Sequence, residues 1–241
     1  KQMDKRQKQH LITIAVLVVA AINFLNAASP DQLFFNKPAQ FFEEAFVMGN
    51  GRIGATVFGS PQAEKIYLND ATLWTGEPVV ADMQPDAWKN IVAIREALRN
   101  ENYALAEQLN RKVQGSFSQS YAPLGTLLID FDHRGNYSGY RRELDLRNAI
   151  SKVNYNVDGV NFEREYFVSY PDKMLIIKVK ADKKSTLNFD VRFNSQLNYK
   201  LSVNDKTLTA RGNAPVHAEP SYVAKEKDAV VFDHQRGTRF T

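Results

Sequence analysis

The sequence predicts a mainly β fold, a large antiparallel β-sandwich with a short two-helix insertion. Short segments of alternating apolar and polar residues recur between turn residues, and the clearest of them form a hairpin over residues 153–168. The insertion is predicted because apolar residues take a spacing of three and four over residues 85–113. The 241 residues, 44% of them apolar, suffice for one such domain and its core.

The first 28 residues have the layout of a secretory signal peptide. Four basic residues precede an uncharged apolar run over residues 11–22, and small residues at positions 27–29 provide a cleavage site. The alternative is an uncleaved anchor, for which the run is short, because a spanning helix takes about 20 apolar residues. Residues 1–28 carry +3 of the total charge of +4, which leaves the rest near +1 and indicates no nucleic-acid partner. We expect an exported protein, periplasmic or secreted, without membrane contact after cleavage.

Irregular structure and two short strands are predicted after the signal. We interpret residues 29–39 as a polar leading arm. A glycine turn at residues 49–52 precedes a predicted strand over residues 54–58, because Gly and Asn permit the positive φ of tight turns. The loop composition of residues 59–62 separates this strand from a second one over residues 65–68.

The helical spacing predicts an insertion of two short helices. Pro85 and Asp86 suit a first helical turn, and Gly115 suits the end of the insertion. The first helix places four apolar residues on one face: Trp88, Ile91, Ile94 and Leu98. The second helix does the same with Tyr103, Ala106, Leu109 and Val113. We expect these amphipathic faces to cover a sheet.

A series of strands is predicted beyond residue 123. Asp158-Gly159 favours a type I′ turn within the hairpin, and Asn204-Asp205 predicts a further turn. Arg164 lies in the apolar row of the hairpin, and we expect a carboxylate such as Glu143 or Asp145 to pair with it. The other predicted strands cover residues 126–131, 140–146, 174–179, 187–193, 201–210 and 229–232.

Two segments beside the first strands offer the residue types of a sugar site. Five side chains there are candidates for the rim of a sugar pocket or for contact with a further domain: Asn50, Arg52, Asn69, Asp70 and Trp74. An aromatic ring stacks on a sugar, and amide, guanidinium and carboxylate groups hydrogen-bond its hydroxyls. The alternative is structural: Trp74 is a core residue, Arg52 pairs with a carboxylate, and the glycines only form turns.

No catalytic, cofactor-binding or metal-binding residue stands out by its spacing. The absence of cysteine excludes disulfides and thiolate chemistry. Residues 49–54 spell a dinucleotide loop but precede a strand instead of opening a helix. His217 and Glu219 alternate on an extended segment, yet a catalytic metal takes three protein ligands. Two carboxyl pairs have the chemistry that glycoside hydrolysis uses, although nothing singles them out among 27 acidic residues: Glu163 with Glu165, and Asp70 with Glu77.

Six longer segments carry a resemblance to a known family. They are AFVMGNGRIGATVFG (45–59), EKIYLNDATLWTG (64–76), AIREALRNENYALAEQL (93–109), SYAPLGTLLIDF (120–131), YRRELDLRNAI (140–150) and FEREYFVSYPDKMLIIKV (162–179). In this order they resemble the N-terminal domain of family 95 glycoside hydrolases, which include α-L-fucosidases and some α-L-galactosidases. The similarity extends from about residue 34 to the end, and residues 77–83 depart from the Gly- and Pro-rich run of the family.

The resemblance implies that residues 29–241 form an N-terminal β-sandwich before a catalytic (α/α)6 barrel. In the family the barrel supplies a glutamate general acid and a water assisted by an amide and an aspartate, and the reaction inverts the anomeric configuration. Those residues have no counterpart here, so no catalytic residue is carried over. The implied partners are the barrel of the same parent chain and a glycan substrate, and no cofactor is implied.

Three functions remain open from the sequence. The leading hypothesis is the packing and linking domain of an exported hydrolase that cuts terminal α-L-fucosyl or α-L-galactosyl residues from glycans, inactive by itself. The alternative is a free-standing carbohydrate-binding β-sandwich module, with Trp74 as its stacking platform. The third is an inert structural module, expected if Trp74 is fully buried. The sequence stops soon after a predicted strand, which favours a piece of a longer protein.

Overall fold

The computed structural model describes residues 31–78, 84–115, 117–222 and 228–241. The predicted signal peptide at residues 1–28 therefore lies outside the described residues, as do residues 79–83 of the segment that departs from the family pattern. Within the described ranges, no helix is long and apolar enough to cross a membrane.

Strands dominate the described part of the chain, as predicted, and two short helices interrupt them. The strands are β1 (Gln32–Phe35), β2 (Phe46–Gly49), β3 (Ile53–Val57), β4 (Ala63–Asp70), β5 (Gly125–Phe131), β6 (Tyr137–Asp145), β7 (Ile150–Val157), β8 (Val160–Ser169), β9 (Met174–Ala181), β10 (Phe189–Asn194), β11 (Asn198–Asn204), β12 (Thr207–Asn213), β13 (His217–Ala218), β14 (Val230–Val231) and β15 (Arg239–Phe240). The helices are α1 (Ile91–Arg99) and α2 (Tyr103–Asn110), and single 3-10 turns cover Phe42–Glu44 and Ala87–Asn90. The predicted mainly β fold with a two-helix insertion is confirmed.

The strands form four sheets. The first has the order β1-β6-β7-β8-β9 and is antiparallel throughout, and the second has the order β10-β5-β4-β3-β2. The third, β11-β12-β15, and the fourth, β13-β14, are antiparallel as well.

Strand β1 corrects the expectation of a polar leading arm. Residues Gln32–Phe35 pair with β6 in a continuous register, from Gln32 opposite Asp145 to Phe35 opposite Arg142. The guanidinium of Arg142 lies 4.3 Å from the centre of the Phe35 ring, so a cation–π contact adds to the backbone hydrogen bonds of the pair. The residues of the arm do not indicate that β6 is its pairing partner, so the strand was not predicted.

The chain divides into two compact units. Unit 1 comprises Lys1–Asn50, of which residues 31–50 are described, with Ala55–Ile66 and Ile129–Val191. Unit 2 comprises the remaining segments, Gly51–Gly54, Tyr67–Leu128 and Arg192–Thr241.

Unit 1 is a sandwich whose inner side chains come from both sheets. Residues alternate between buried and less buried along β7 and β8, as expected for strands with one face on a core. Val153 and Tyr166 from the first sheet and Ile66 from the second are among its most buried side chains. The predicted turn between β7 and β8 is present, with φ of 51° at Asp158 and 73° at Gly159. The prediction of a β-sandwich is thereby confirmed.

The partner expected for Arg164 was wrong. Arg164 is fully buried, and its Nη1 lies 3.2 Å from Oε2 of Glu64 on β4. Glu143 and Asp145 alternate on β6 with the buried Arg142 and Leu144, so they lie on the outer face of the sheet. Because Arg164 lies on the inner face, neither carboxylate reaches it.

Unit 2 has a smaller apolar core. The buried residues Leu73, Ala122, Leu197 and Ala214 form one cluster, against which the half-buried Leu124 and Phe240 pack. Helices α1 and α2 also belong to this unit, and the side chain of Asn102 caps α2 by accepting a hydrogen bond from the amide of Leu105 at 3.1 Å.

Candidate functional site

The segment after β4, in unit 2, is held by the carboxylate of Asp70. Its Oδ1 accepts hydrogen bonds from the amide of Thr72 at 2.9 Å and from the hydroxyl of Thr72 at 2.6 Å. Its Oδ2 accepts from Nε of Arg52 at 3.4 Å, and the amide of Ala71 donates to the carbonyl of Arg52. Burial acts to raise the pKa of Asp70, but the hydrogen bonds from Thr72 and Arg52 outweigh it and lower the pKa. Asp70 is therefore a charged anchor of the turn.

Trp74 presents a fixed ring to solvent. The side chain is 46% exposed, and its indole N–H donates to the carbonyl of Ala71 at 3.0 Å. An isolated antiparallel bridge pairs Trp74 with Tyr121, which is 45% exposed. Residues directly opposite in an antiparallel pair project to the same side, so both side chains leave the backbone on one side, and we call these two residues the aromatic platform. Burial raises the pKa of Tyr121, so its hydroxyl keeps the proton that it can donate.

An open depression of about 390 Å³ adjoins Trp74. It is lined by Trp74, Thr75, Gly76, Glu77, Pro78, Gly237 and Thr238. Nε of Arg236 donates to Oε1 of Glu77 at 2.9 Å, and Nη2 donates to Oε2 in a second, shorter contact. This hydrogen bonding from Arg236 holds the pKa of Glu77 below its ordinary value. Glu77 is therefore a lining residue that is held as a carboxylate by a charged pair with the exposed Arg236.

A chain of side-chain hydrogen bonds begins at Thr75 in this depression. The Thr75 hydroxyl donates to Oε1 of Gln119 at 3.0 Å, and the same oxygen accepts from the amide of Ala218 at 3.1 Å. These two donors fix the amide orientation, so Nε2 of Gln119 faces Nδ1 of His217 at 3.3 Å. Since an amide nitrogen only donates, Nδ1 of His217 is the acceptor in this contact, and Nε2 lies 3.7 Å from Oε1 of Glu219. The chain holds the floor of the depression in place.

The structure brings together some of the five predicted candidates. Arg52 and Asp70 pair, as the structural alternative expected, whereas the expectation of Trp74 as a core residue was wrong. Asn50 belongs to unit 1, where its amide donates to the carbonyl of Ser169 at 2.7 Å. The side-chain oxygen of Asn69 is buried and finds no hydrogen-bond partner within the described ranges.

Sequence reasoning missed Tyr121 and Arg236. Tyr121 lies in one of the six segments that carry the family resemblance, but its position beside Trp74 depends on a bridge between distant parts of the chain. Arg236 is separated from Glu77 by 159 positions. No local pattern of residues contains either pairing.

The carboxyl pair of Glu163 and Glu165 does not have the electrostatics of a glycosidase. Both are held by lysines, Glu163 by Lys180 at 3.1 Å and Glu165 by Lys152 at 2.9 Å and Lys178 at 3.2 Å. The hydrogen bonds from Lys152 and Lys178 lower the pKa of Glu165. A general acid needs a pKa raised towards neutrality, so Glu165 is unsuited to that role.

The other pair, Asp70 and Glu77, fails for the same reason, because the pKa of each is lowered. His217 and Glu219 do face each other, as their alternation suggested. In the described part of the chain, however, no group of three or more His, Cys, Asp or Glu side chains is placed to hold a metal ion.

A second depression, of about 500 Å³, lies in unit 1 over strands β7 to β9. Its polar side chains are largely engaged with each other. The Asn156 amide donates to Oδ1 of Asn161 at 2.8 Å, the Asn161 amide donates to Oδ2 of Asp182 at 2.6 Å, and Lys180 pairs with Glu163. These groups satisfy one another, which makes the depression a less promising ligand site than the aromatic platform.

The fold and the site define an antiparallel β domain whose exposed chemistry is an aromatic platform beside a polar depression. The sequence matches the family model described as "Glycosyl hydrolase family 65, N-terminal domain" over residues 33–240. The chain belongs to this family of glycosyl hydrolase N-terminal domains.

Three curated relatives are named as fucosidases. The chain is 36% identical over 220 residues to "Alpha-L-fucosidase 2" of Arabidopsis thaliana, which covers 88% of this chain and 26% of that protein. It is 30% identical over 177 residues to "Probable alpha-fucosidase A" of Aspergillus niger, covering 70% of this chain and 22% of that protein. The protein of the same name from Aspergillus oryzae is 28% identical over 172 residues, which is 68% of this chain and 24% of that protein.

The chain thus spans about a quarter of the length of the curated relatives it matches. The expected likeness to the N-terminal domain of an α-fucosidase-type glycoside hydrolase is confirmed. The matching family model is described under family 65, whereas the sequence resemblance pointed to family 95.

Proposed function

We propose that this chain is the N-terminal domain of an exported, inverting glycoside hydrolase that releases terminal α-L-fucosyl residues from glycans, with α-L-galactosyl residues as the alternative substrate. The chain has a packing and linking role beside a catalytic barrel of the same polypeptide, and it has no activity by itself. The observation that carries the proposal is the 36% identity to "Alpha-L-fucosidase 2" over 88% of this chain.

The chemistry of the described residues supports the absence of activity in this domain. Both carboxyl pairs named from the sequence contain carboxylates whose pKa is lowered, by Lys152 and Lys178 at Glu165 and by Arg236 at Glu77. Inverting hydrolysis needs one protonated carboxylic acid and one carboxylate about 6.5–9.5 Å apart. We infer that the acid and base come from the three quarters of the polypeptide that the relatives have beyond this region.

The test compares the complete polypeptide with the 241-residue chain. We expect the complete polypeptide to hydrolyse an aryl α-L-fucoside, proton NMR to show the β-anomer of fucose as the first product, and the 241-residue chain to release none. N-terminal sequencing of the exported protein checks cleavage near residue 28. Fucose release by the 241-residue chain, or a first product with retained configuration, contradicts the proposal.

A second function, carbohydrate binding by this domain itself, is favoured by the aromatic platform. The Trp74 ring is exposed and already fixed by its bond to Ala71, so stacking a pyranose on it costs little side-chain freedom. The depression beside it offers the carboxylate of Glu77, which pairs with the exposed Arg236, for the sugar hydroxyls. This function is compatible with the first, since a domain of a hydrolase can also hold its glycan.

Fluorescence tests the second function, because the chain contains two tryptophans. In Trp88→Phe the emission reports Trp74 alone, and titration with methyl α-L-fucoside or a fucosylated oligosaccharide is expected to change it in a saturable way. Calorimetry on Trp74→Ala is expected to show no binding, and Trp88→Ala, which also removes an exposed indole, is the matched control. Equal sugar binding by Trp74→Ala and the unmodified chain contradicts this function.

A further inference from the structure

The helical insertion of unit 2 exposes a set of large apolar side chains. Helices α1 and α2 contact each other, and the side chains that they bury completely are the small ones of Ala97 and Ala106. Six larger apolar side chains of the insertion are exposed: Trp88, Ile91, Val92, Leu98, Tyr103 and Leu105. We call these six residues the helical face.

The spacing of these residues makes the exposed surface continuous along α1. Ile91 and Leu98 are seven residues apart, and Trp88 precedes Ile91 by three, so all three lie on one side of the helix. The sequence predicted that this side covers a sheet, but only Ile94 of its four residues is half-buried. An amphipathic helix normally buries its apolar stripe, and a contiguous exposed apolar patch marks a surface for a partner.

Arg95 lies beside the helical face. Arg95 follows Ile91 by four residues and precedes Leu98 by three, so it is on the same side of α1. Two ion pairs form elsewhere in the insertion, Lys89 with Asp86 at 2.7 Å and Arg111 with Glu107 at 2.9 Å. The Arg95 guanidinium has no carboxylate partner among the residues that the structure describes. The chemistry of a matching partner is therefore an apolar surface that carries a carboxylate.

The length of the relatives identifies what covers this face. In each of the three curated relatives, about three quarters of the polypeptide lies outside the matched region. A segment of the same polypeptide is covalently joined to this domain, so its effective concentration at the helical face is high. It therefore outcompetes a second, free copy of the chain for this surface. We propose that the helical face is the docking surface for the remainder of the parent polypeptide, which rests on the proposed function of this chain as part of a longer hydrolase.

Hydrogen exchange tests the docking in the complete polypeptide. Amides of residues 84–113 are expected to exchange at least about tenfold more slowly there than in the 241-residue chain, because docking suppresses local opening of the helices. Amides of strands β11 and β12 serve as the internal reference, with equal exchange expected in both proteins. Equal exchange of residues 84–113 in both proteins overturns the proposal.

A pair of matched variants tests which surface is responsible. Val92 on the helical face and Val203 on β11 are 72% and 74% exposed. In the complete polypeptide, Val92→Asp is expected to return the exchange of residues 84–113 to the rate of the 241-residue chain, and Val203→Asp to leave it slow. Arg95→Glu, a change of an exposed charge, is expected to act like Val92→Asp. Equal effects of Val92→Asp and Val203→Asp contradict the assignment.

The remaining outcomes separate this proposal from the proposed function. Fucoside hydrolysis by a complete polypeptide with unprotected helices overturns the docking alone. Protected helices in a complete polypeptide that releases no fucose overturn the proposed function alone. Exchange in the 241-residue chain that slows with its concentration shows that a second copy covers the face, and this too overturns the docking.

Discussion

Units 1 and 2 each contain an arginine–glutamate pair between distant parts of the chain, and the two pairs lie in opposite environments. In unit 1, Arg164 and Glu64 are both fully buried. In unit 2, the side chains of Arg236 and Glu77 are 58% and 36% exposed. The first pair belongs to the core of the sandwich, whereas the second includes Glu77, which lines an open depression. The same chemistry therefore supports stability in one unit and is available to a ligand in the other.

The buried pair makes further hydrogen bonds, although Nε and Nη1 of Arg164 have no hydrogen-bond partner within the described ranges. Glu64 accepts from the amide of Gly59 at 2.8 Å and from the hydroxyl of Tyr166 at 2.8 Å, and burial keeps the pKa of Tyr166 well above its usual value so that this proton stays in place. Arg164 donates to the carbonyl of Ser60 at 2.7 Å, and its guanidinium lies 5.0 Å from the centre of the Phe131 ring. Removing one charge leaves the other without water or counterion.

The largest expected effect comes from breaking this buried pair. Arg164→Met leaves the Glu64 carboxylate buried and uncompensated, and we expect a loss of about 3–5 kcal/mol in the free energy of unfolding. Urea denaturation followed by circular dichroism measures it. The matched control is Arg236→Met in unit 2, where solvent takes over the interactions of Glu77 and the loss is expected to be far smaller. Similar losses in the two variants would show that burial is not what separates the pairs.

Local sequence patterns predicted much of the secondary structure, but they did not predict which residues far apart in the sequence contact each other. The turn at Asp158-Gly159 and the alternation around it specify the β7–β8 hairpin, because each depends on neighbouring residues only. The same alternation predicted a row that includes Arg164, but its partner Glu64 is 100 positions away on a strand of the other sheet. The expected partners, Glu143 and Asp145, are excluded because they lie on the outer face of β6.

The candidate site shows the same limit. Arg52, Asp70 and Trp74 were predicted as one set because they flank two adjoining strands, and the ion pair of Arg52 with Asp70 is such a short-range contact. Tyr121 and Arg236 complete the platform and the depression through long-range contacts. The exposure of the Trp74 side chain was not predictable from the sequence either. Tryptophan is usually buried, and the neighbouring residues did not distinguish Trp74 from a core residue.

Two glycines with positive φ, one in each unit, differ in how closely other atoms pack around them. Gly59 in unit 1 has a φ of 80°, and a Cβ there would lie 2.8 Å from Oη of Tyr140. Gly51 in unit 2 has a φ of 88°, and a Cβ there would meet no atom within 4 Å. We expect Gly59→Ala to cost about 2–4 kcal/mol, from backbone strain and overpacking, and Gly51→Ala about 1–2 kcal/mol, from strain alone. Urea midpoints check both, and equal costs would contradict the crowding at Gly59.

A smaller effect is expected at the helix cap of unit 2. Asn102 accepts from the amide of Leu105, one of the amides that a helix leaves without an internal partner. Asn102→Ala is expected to cost about 1 kcal/mol in the free energy of unfolding, and Asn102→Asp, which keeps the acceptor, is expected to cost much less. Thermal denaturation of the two variants measures the loss of stability in each. Equal losses for Asn102→Ala and Asn102→Asp would show that the cap contributes nothing.

The last expected effect appears only on acidification and concerns His133, a half-buried histidine of unit 1. His133 stacks on Phe131 with ring centres 5.4 Å apart, and its Nε2 lies 3.0 Å from the hydroxyl of Tyr155. Burial and the charge of Arg164 lower its pKa below the ordinary 6.5, although Asp132 and Asp158 act in the opposite direction.

Because the pKa of His133 is lower in the folded state, the unfolded chain takes up the proton first as the pH falls. The stabilisation is therefore complete above about pH 6.5 and is lost as the pH falls from there through the folded-state pKa. Urea denaturation at a series of pH values is expected to show a steeper decline between neutral and mildly acidic pH for the unmodified chain than for His133→Gln, which cannot take up a proton there. If the free energy of unfolding declines equally with pH in both proteins, His133 is not the source of the acid sensitivity. The substitution removes the titration of His133 and leaves the carboxylates of both units unchanged.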